Sequence, residues 1–468
     1  MSDAFLHQAA EIVGARHCLT TPEAMAPYLA EERGSYQGRA LLVARPGSTE
    51  EVAKLVALCA RHGVGIVPQG GNTGLCGGAV PENGQIVIAL ARLDRVLALD
   101  AANRTLTVEA GCVLAAVQAE AETADLLFPL SLAAQGSCQI GGNLSTNAGG
   151  TGVLRYGNAR ELVLGLEVVL ADGQVWNGLR GLRKDNTGYD LKQLFLGAEG
   201  TLGIITAATL KLFPRPRDIA TAWVGFEHPA RLIELLGRLE AASGAAVTAC
   251  ELIPRLGLDF VLAHIPDTKA PLKHAHAWHG LIELSSPRPD GNLSALLEET
   301  LGMALADGLI ADATLADSLA KAAALWRLRE SLPAAQKPEG ASLKHDVAVP
   351  LSALPDFLAQ ASEAVESSIA GVRVCAFGHI GDGNIHFNLS QPRDMSAEAF
   401  LKRRDAIANR VHDLAMAMGG SFSAEHGIGR LKRPDMARYK APVELDLMRR
   451  MKAALDPQGI MNPGKVVG

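Results

Sequence analysis

No stretch of this 468-residue chain offers the 18 or more consecutive apolar residues that a membrane helix requires, which excludes an integral membrane protein built on helices. Cationic excess is missing too. With 44 Lys and Arg against 50 Asp and Glu, the formal charge is −6, and nothing global draws the chain to nucleic acid or an anionic surface. The seven cysteines, at 18, 59, 76, 112, 138, 250 and 375, are odd in number and include no CxxC pair, which argues against a disulfide scaffold and against an all-cysteine zinc or iron–sulfur site. The opening residues MSDAFLHQAAEIVG contain neither a basic flank nor a cleavable apolar run, so the expected location is the cytoplasm. Two nucleotide signatures are also lacking, GxGxxG after a strand and the phosphate loop GxxxxGK followed by Ser or Thr. Aromatic residues are scarce at 4%, whereas glycine is abundant at 48 residues, and backbone freed from Cβ atoms suits loops that approach a ligand closely. A phosphate-bearing cofactor is the natural candidate.

From Ala40 the chain reads as an extended segment, ALLVARP, then a helix opened by Ser48-Thr49-Glu50-Glu51, then a short strand over Gly65 to Pro68. This β-α-β unit delivers the chain into Gln69-Gly70-Gly71-Asn72-Thr73-Gly74-Leu75-Cys76-Gly77-Gly78, and a further strand, QIVIAL, follows. A second glycine block, Gly136 to Gly150, precedes the strand signals ELVLGLEVVLADG and LGIITAATLKLFP. Pro214 and Pro216 mark a boundary. Beyond it, TAWVGF reads as a strand and Ala230 to Ser243 as a helix, with many amphipathic helices following up to about Asn409, and this middle third reads as a separate α+β domain. The division expected is therefore residues 1–215, 216–415 and a C-terminal segment 416–468 that ends in a helix and a tail.

In the first glycine block, the N–H groups of Gly70, Gly71, Asn72, Thr73 and Gly74 can curl into an anion-binding nest, with Asn72 and Thr73 adding side-chain donors. The segments Pro68-Gln69-Gly70-Gly71-Asn72-Thr73-Gly74, Gly141-Gly142-Asn143-Leu144-Ser145-Thr146-Asn147-Ala148-Gly149-Gly150 and Gly197-Ala198-Glu199-Gly200-Thr201-Leu202-Gly203-Ile204-Ile205 together resemble flavin-binding oxidoreductases of the vanillyl-alcohol oxidase type. The branch they resemble contains D-lactate and D-2-hydroxyglutarate dehydrogenases. That likeness covers nearly the whole chain and implies an α+β fold: an FAD-binding domain of two subdomains, an α+β substrate domain and a C-terminal helical segment. It implies that the first block, with Gly78, wraps the FAD pyrophosphate, and that the second, with Gly136 and Ser137, lies along the cofactor. Gly203 and Ile205 would supply backbone contacts, and Asn462 in the tail would return to the flavin. Residues 68–81 contain no histidine to tether the flavin, so the FAD is expected to be non-covalent.

Strand-like segments flank Gly381-Asp382-Gly383-Asn384, and Asp-Gly is a tight-turn signal. A hairpin there sets His379 and His386 facing each other, with Asn388 on the same face as His386. Two imidazoles so placed suit one metal ion, and Glu425 in Ser423-Ala424-Glu425-His426-Gly427 is the best third ligand. Such a set with an open position is typical of catalytic Zn²⁺, and Fe²⁺ or Mn²⁺ are also compatible. His426, pointing away from its neighbour, becomes the candidate general base.

By the same likeness Arg329 grips a substrate carboxylate and Lys344 assists it, since guanidinium offers a fork and ammonium a point charge. The sequence departs from that pattern at Pro333, where a threonine hydroxyl is expected, so Pro333 is a pocket position only. The reaction implied is oxidation of a small-molecule D-2-hydroxy acid, D-2-hydroxyglutarate or D-malate, with D-lactate dehydrogenation as the alternative and a catalytically silent subunit of a glycolate-oxidising complex as a further one. Electrons would leave to an external acceptor such as an electron-transfer flavoprotein or a quinone, and the resemblance leaves room for a homodimer.

Overall fold

Ser48 starts the first long helix in the way its position predicts. Its hydroxyl accepts the Glu51 backbone N–H at 3.2 Å, helix Thr49–His62 follows, and Gly63 closes it at φ 62°. Val52, Leu55, Val56 and Cys59 form its buried side. The computed structural model describes residues 3–32, 34, 36–82 and 84–467. It divides the chain into two units, one of Met1–Gly150, Gly157–Arg215 and Glu425–Gly468, the other of Thr151–Tyr156 and Pro216–Ala424.

In the first unit, β1 (Cys18–Leu19), β2 (Ala40–Ala44), β3 (Ile66–Gln69) and β4 (Gln85–Ala89) make a four-stranded sheet in the order β1-β2-β4-β3. The β-α-β unit is present, with β4 inserted between β2 and β3 and parallel to both. Every residue of β4 is buried, as the unbroken run QIVIA requires of a strand covered on both faces. A second, antiparallel sheet is built from β5 (Val96–Asp100), β6 (Thr105–Glu109) and, after the two-residue β7 (Leu126–Leu127), β8 (Val163–Val169), β9 (Val175–Gly178) and β10 (Ile204–Lys211). Its order is β5-β6-β10-β8-β9, and β7 pairs with β11 (Phe213–Pro214). Part of the second glycine block folds as a short helix, Ile140–Ser145. Gly141 permits this, since a Cβ there would lie 2.8 Å from that of Ala110. The C-terminal tail returns to the first sheet: Met461 bridges Ile66, and the Asn462 N–H donates to the Ile66 carbonyl at 2.8 Å.

The second unit is organised by a seven-stranded antiparallel sheet of β12 (Asp218–Phe226), β13 (Val247–Pro254), β14 (Trp278–Ser286), β15 (Asp312–Leu315), β16 (Ser342–Ala348), β17 (Arg373–His379) and β18 (Asn384–Ser390). The order is β15-β12-β14-β13-β17-β18-β16. The α+β domain expected here is present, its helices packed on this sheet, although most of its strands were not picked out in the sequence. Strands β13, β14 and β16 carry glutamate, histidine and lysine amid apolar residues, which masks their two-residue alternation. Helices Ala230–Ser243, Leu293–Ala306, Leu354–Ser368 and Arg404–Ala417 pack on the sheet through Leu232, Leu297, Phe357 and Val411, against Val224, Leu252, Ile282 and Phe387. A separate core joins Trp223, Leu281 and Phe377 of the sheet to Phe260, Leu328 and Leu332 of helices Arg255–His264, Leu319–Glu330 and Leu332–Ala335.

Two boundaries differ from the sequence reading. The second unit runs past residue 415 to Ala424 because Ser421 bridges Ala348 and the Ala424 N–H donates to the Asp346 carbonyl. It also takes Thr151–Tyr156, where Arg155 donates to the Ser285 hydroxyl at 2.7 Å and Leu154 packs over Gly381. Among the described residues no helix is long and apolar enough to cross a membrane.

One buried histidine of this unit makes its stability depend on pH. The Trp223 indole N–H donates to His279 Nδ1 at 3.1 Å, so Nε2 carries the ring proton of the neutral form. Burial, then the nearby His276 and Arg255, push its pKa down from 6.5 to about 4. A lowered pKa means that the unfolded chain binds the proton first. Stability is therefore present above pH 6.5 and lost as pH falls toward 4, by about 3 kcal/mol. Thermal melts across this window should show that loss in the parent and a flatter profile in His279→Gln.

Candidate active site

The glycine blocks of the first unit converge on one cavity of about 870 Å³, its open mouth included. Pro68, Gly70, Gly71, Asn72, Thr73, Gly74 and Gly78 line it from the first block, and Gly141, Gly142, Asn143 and Thr146 from the second. Gly203, Ile205, Asn462 and His426 also reach it. Gly136, Ser137, Asn147, Gly149 and Gly150 are not among the residues that line it. The Ser137 carbonyl packs against Gly71, Asn147 Oδ1 accepts the Arg160 N–H at 2.9 Å, and Gly150 donates its N–H to Glu425 Oε1 at 2.7 Å. Asn72 also differs from expectation: its side-chain amide donates to the Ala30 carbonyl at 2.8 Å and fastens the loop, with φ at 54°. Gln69, unremarked in the sequence, does the same through the Tyr28 and Ala79 carbonyls, both at 2.9 Å.

The unmet polar atoms show what the cavity accommodates. Among the described residues, Gln139 Oε1, Asn143 Nδ2 and Asn462 Oδ1 are buried without a hydrogen-bond partner, and all three residues line this cavity. Buried amide atoms are normally paired, so a ligand bearing both donors and acceptors fits here, as the edge of a flavin does. Gly74 and Gly142 add a second sign. Neither has positive φ, and a Cβ on either would meet no protein atom within 4 Å, so the space before them is left for something else. Gly142→Ala is expected to favour helix Ile140–Ser145 yet raise the Kd for FAD roughly 5- to 150-fold, the cost of overpacking by one methyl. Titration of the apoprotein with FAD, beside its melting temperature, checks both signs.

His426 is held at the cavity by a residue that the sequence reading passed over. Glu199, in the third glycine segment, accepts the N–H groups of Ile428 and Gly429 at 2.7 and 2.8 Å. Burial raises its pKa, against those two bonds and the charges of Lys432 and Lys465. Its own carbonyl accepts from Asn462 Nδ2 at 2.7 Å, so loop, glycine segment and tail are tied at one point. Glu425 belongs to this unit, whereas His379 and His386 belong to the second.

In the second unit, β17 and β18 form the expected hairpin, with His379 opposite Asn384 and Phe377 opposite His386. Its connection is a 3-10 turn, Ile380–Asp382, closed by Gly383 at φ 77°, rather than a two-residue turn. The two imidazole centroids lie 5.7 Å apart at 80°. Each ring has Nδ1 toward a buried carboxylate: His379 donates to Glu251 Oε1 at 2.6 Å, and His386 lies 3.8 Å from Asp346 Oδ1. Histidines that ligate a metal characteristically commit their other nitrogen to a hydrogen bond, as His379 does, while His386 has its carboxylate only at ion-pair distance; the pair fits a divalent cation.

Lys344 stands opposite Asn388, and Asp346 opposite His386, so all four occupy one face of the sheet. Asn388 Nδ2 donates to Gln336 Oε1 at 3.0 Å, a partner the sequence gave no reason to expect. Arg329 ends helix Leu319–Glu330, buried, with its guanidinium 4.9 Å from the Phe377 ring centre and Nε donating to Glu251 Oε2 at 2.6 Å. Pro333 is exposed in the first turn of helix Leu332–Ala335. Burial alone would raise the Glu251 pKa, but Arg329 and His379 hold it down at about 2.

Comparison with known proteins matches residues 40–178 to the FAD binding domain and residues 215–466 to the C-terminal domain of FAD linked oxidases. The D-2-hydroxyglutarate dehydrogenase of Xanthomonas citri pv. viticola is 36% identical over 466 residues, covering 100% of this chain and 97% of that protein. The mitochondrial D-2-hydroxyglutarate dehydrogenase of Bos taurus is 38% identical over 453 residues, covering 96% of this chain and 81% of its own length. Among solved structures, p-cresol methylhydroxylase with substrate bound superposes with a TM-score of 0.77 at 19% identity, over 99% of this chain and 96% of that one. Alkyldihydroxyacetonephosphate synthase gives 0.75 at 18% identity, over 99% and 85%. At such identities the structural likeness is one of fold.

Proposed function

The chain belongs to the FAD-linked oxidases, and from that premise we propose that it is an FAD-dependent dehydrogenase oxidising D-2-hydroxyglutarate to the 2-oxo acid. The observation that carries the reading is the cavity of the first unit, where three unpartnered amide atoms and His426 are among the lining groups. FAD, when bound, supplies the acceptor for the hydride that leaves C2. A divalent metal held by His379, His386 and Glu425 supplies, when bound, a Lewis acid for the 2-hydroxyl oxygen. Zn²⁺ is favoured by two imidazoles and a carboxylate, with Fe²⁺ or Mn²⁺ as alternatives.

His426 takes the proton of the 2-hydroxyl oxygen while the C2 hydrogen departs with its electron pair, and the C2–O bond becomes a carbonyl. Arg329 and Lys344 hold the distal carboxylate, and Asn388 donates beside them. Pro333 offers no hydroxyl to that carboxylate, which favours D-lactate as the second reading. The electrons then pass to an external acceptor, an electron-transfer flavoprotein or a quinone. None of the seven cysteines forms a disulfide, in keeping with a reducing compartment such as the cytoplasm. Steady-state kcat/KM with an artificial acceptor, measured for D-2-hydroxyglutarate, D-malate and D-lactate, tests the substrate. A clear preference for the first supports the assignment, and a preference for D-lactate replaces it with the second reading.

A further inference from the structure

Glu251 is the hub of the second unit's polar face, and neither motif nor spacing marks it. It stands alone among apolar residues in β13, in register with His379 of β17 and Leu281 of β14. Its side chain is 1% exposed, and its two oxygens divide their work: Oε1 accepts from His379 Nδ1 and Oε2 from Arg329 Nε, each at 2.6 Å. Both partners donate, so a carboxylate is the one side chain of this length that satisfies both. The first bond fixes His379 in the tautomer that carries its proton on Nδ1, which makes Nε2 the atom a metal would meet. The second occupies Nε of a guanidinium that has five N–H donors. Among the described residues no hydrogen bond holds Nη1 or Nη2, and neither is sealed among the buried unpartnered atoms. Packing over Phe377 fixes the plane of the guanidinium, and Phe377 lies in turn 5.3 Å from the His386 ring, centre to centre.

We propose that Glu251 is a positioning residue that sets two parts of the reaction at once: it orients His379 toward the metal, and it turns Arg329 so that the Nη groups face the distal carboxylate of the substrate. This rests on the dehydrogenase reading above. Glutamine at 251 accepts from only one partner and turns an N–H of its own on the other. In Glu251→Gln holoenzyme, metal retention against a competing chelator should fall roughly 10- to 100-fold. The preference for D-2-hydroxyglutarate over D-lactate, as a ratio of kcat/KM, should fall about tenfold or more, with KM carrying most of the change. FAD content should stay at the parental level, which a merely structural role would not preserve.

Arg329→Lys separates the two arms. Lysine replaces the rigid fork, which meets Glu251 through Nε and leaves both Nη groups for a second carboxylate, with one point charge, so the preference should fall while the metal is retained, and this holds even if Glu251→Gln does not fold. A Glu251→Gln enzyme with parental metal retention and parental preference overturns the proposal, as does an Arg329→Lys enzyme that keeps its preference. A parent enzyme inert to D-2-hydroxyglutarate overturns the dehydrogenase reading instead, so the two failures are distinguishable.

Discussion

His426→Ala is expected to slow reduction of the bound flavin by D-2-hydroxyglutarate by about 10²- to 10⁴-fold, the range usual for losing a positioned general base. His426 lines the cofactor cavity, and its loop is fixed by Glu199 through Ile428 and Gly429 and by Glu425 through Gly150. The loop is therefore placed by backbone and carboxylate contacts that do not depend on the imidazole. Truncation should leave FAD in place and the substrate Kd within a few-fold of the parent, because the carboxylate is proposed to be held by other residues, Arg329 and Lys344. Stopped-flow measurement of flavin reduction over a substrate series separates the limiting rate from the Kd. A variant that reduces its flavin at the parental rate removes the general-base role.

Withdrawing the divalent metal is expected to have an effect of similar size, roughly 10²-fold or more on the same rate. The expectation rests on the hairpin. His379 and His386 sit with their rings nearly perpendicular, each with Nδ1 toward a buried carboxylate, an arrangement that orients ligands and otherwise places basic nitrogens side by side. A Lewis acid on the 2-hydroxyl oxygen lowers its pKa toward that of a histidine base, so the proton leaves oxygen more readily. Dialysis against a chelator should therefore abolish flavin reduction while the flavin spectrum of the oxidised protein persists. Zn²⁺, Fe²⁺ or Mn²⁺ added back singly should restore the rate, and the ion that does so identifies the metal. A chelated, metal-free enzyme that keeps its full rate rules out the metal's part in the reaction.

Much of this arrangement was legible in the sequence because its signals are local. Ser48 and Gly63 delimit a helix by capping chemistry, and two glycine-rich segments announce close backbone approach to a ligand. The Gly381 to Asn384 segment brings two histidines together through a period of two alone. What escaped was held by distance. Glu251 lies 78 residues from Arg329 and 128 from His379, and a single glutamate in an apolar strand has no local signature. Glu199 was read as part of a backbone segment, yet its carboxylate clasps a loop 229 residues further on. Asn72 and Gln69 show the opposite error: amides in a glycine loop read as ligand donors or went unnoticed, when both fasten the loop to neighbouring carbonyls. Strand β4 could not be placed between β2 and β3 from its sequence, since an unbroken apolar run specifies burial and not neighbours. The six residues Thr151–Tyr156 join the second unit through packing at Leu154 and a hydrogen bond from Arg155, neither of which a linear reading contains.

The central claim is that C2 of a D-2-hydroxy dicarboxylate gives its hydride to FAD held in the cavity of the glycine blocks. Anaerobic addition of one equivalent of D-2-hydroxyglutarate to the purified holoenzyme, followed through the visible absorbance of the flavin, tests it most directly. The account predicts rapid and complete bleaching by the D-enantiomer and none by the L-enantiomer. A flavin that stays oxidised with the D-enantiomer, in protein that retains its FAD and has been supplied with a divalent metal, would overturn that expectation.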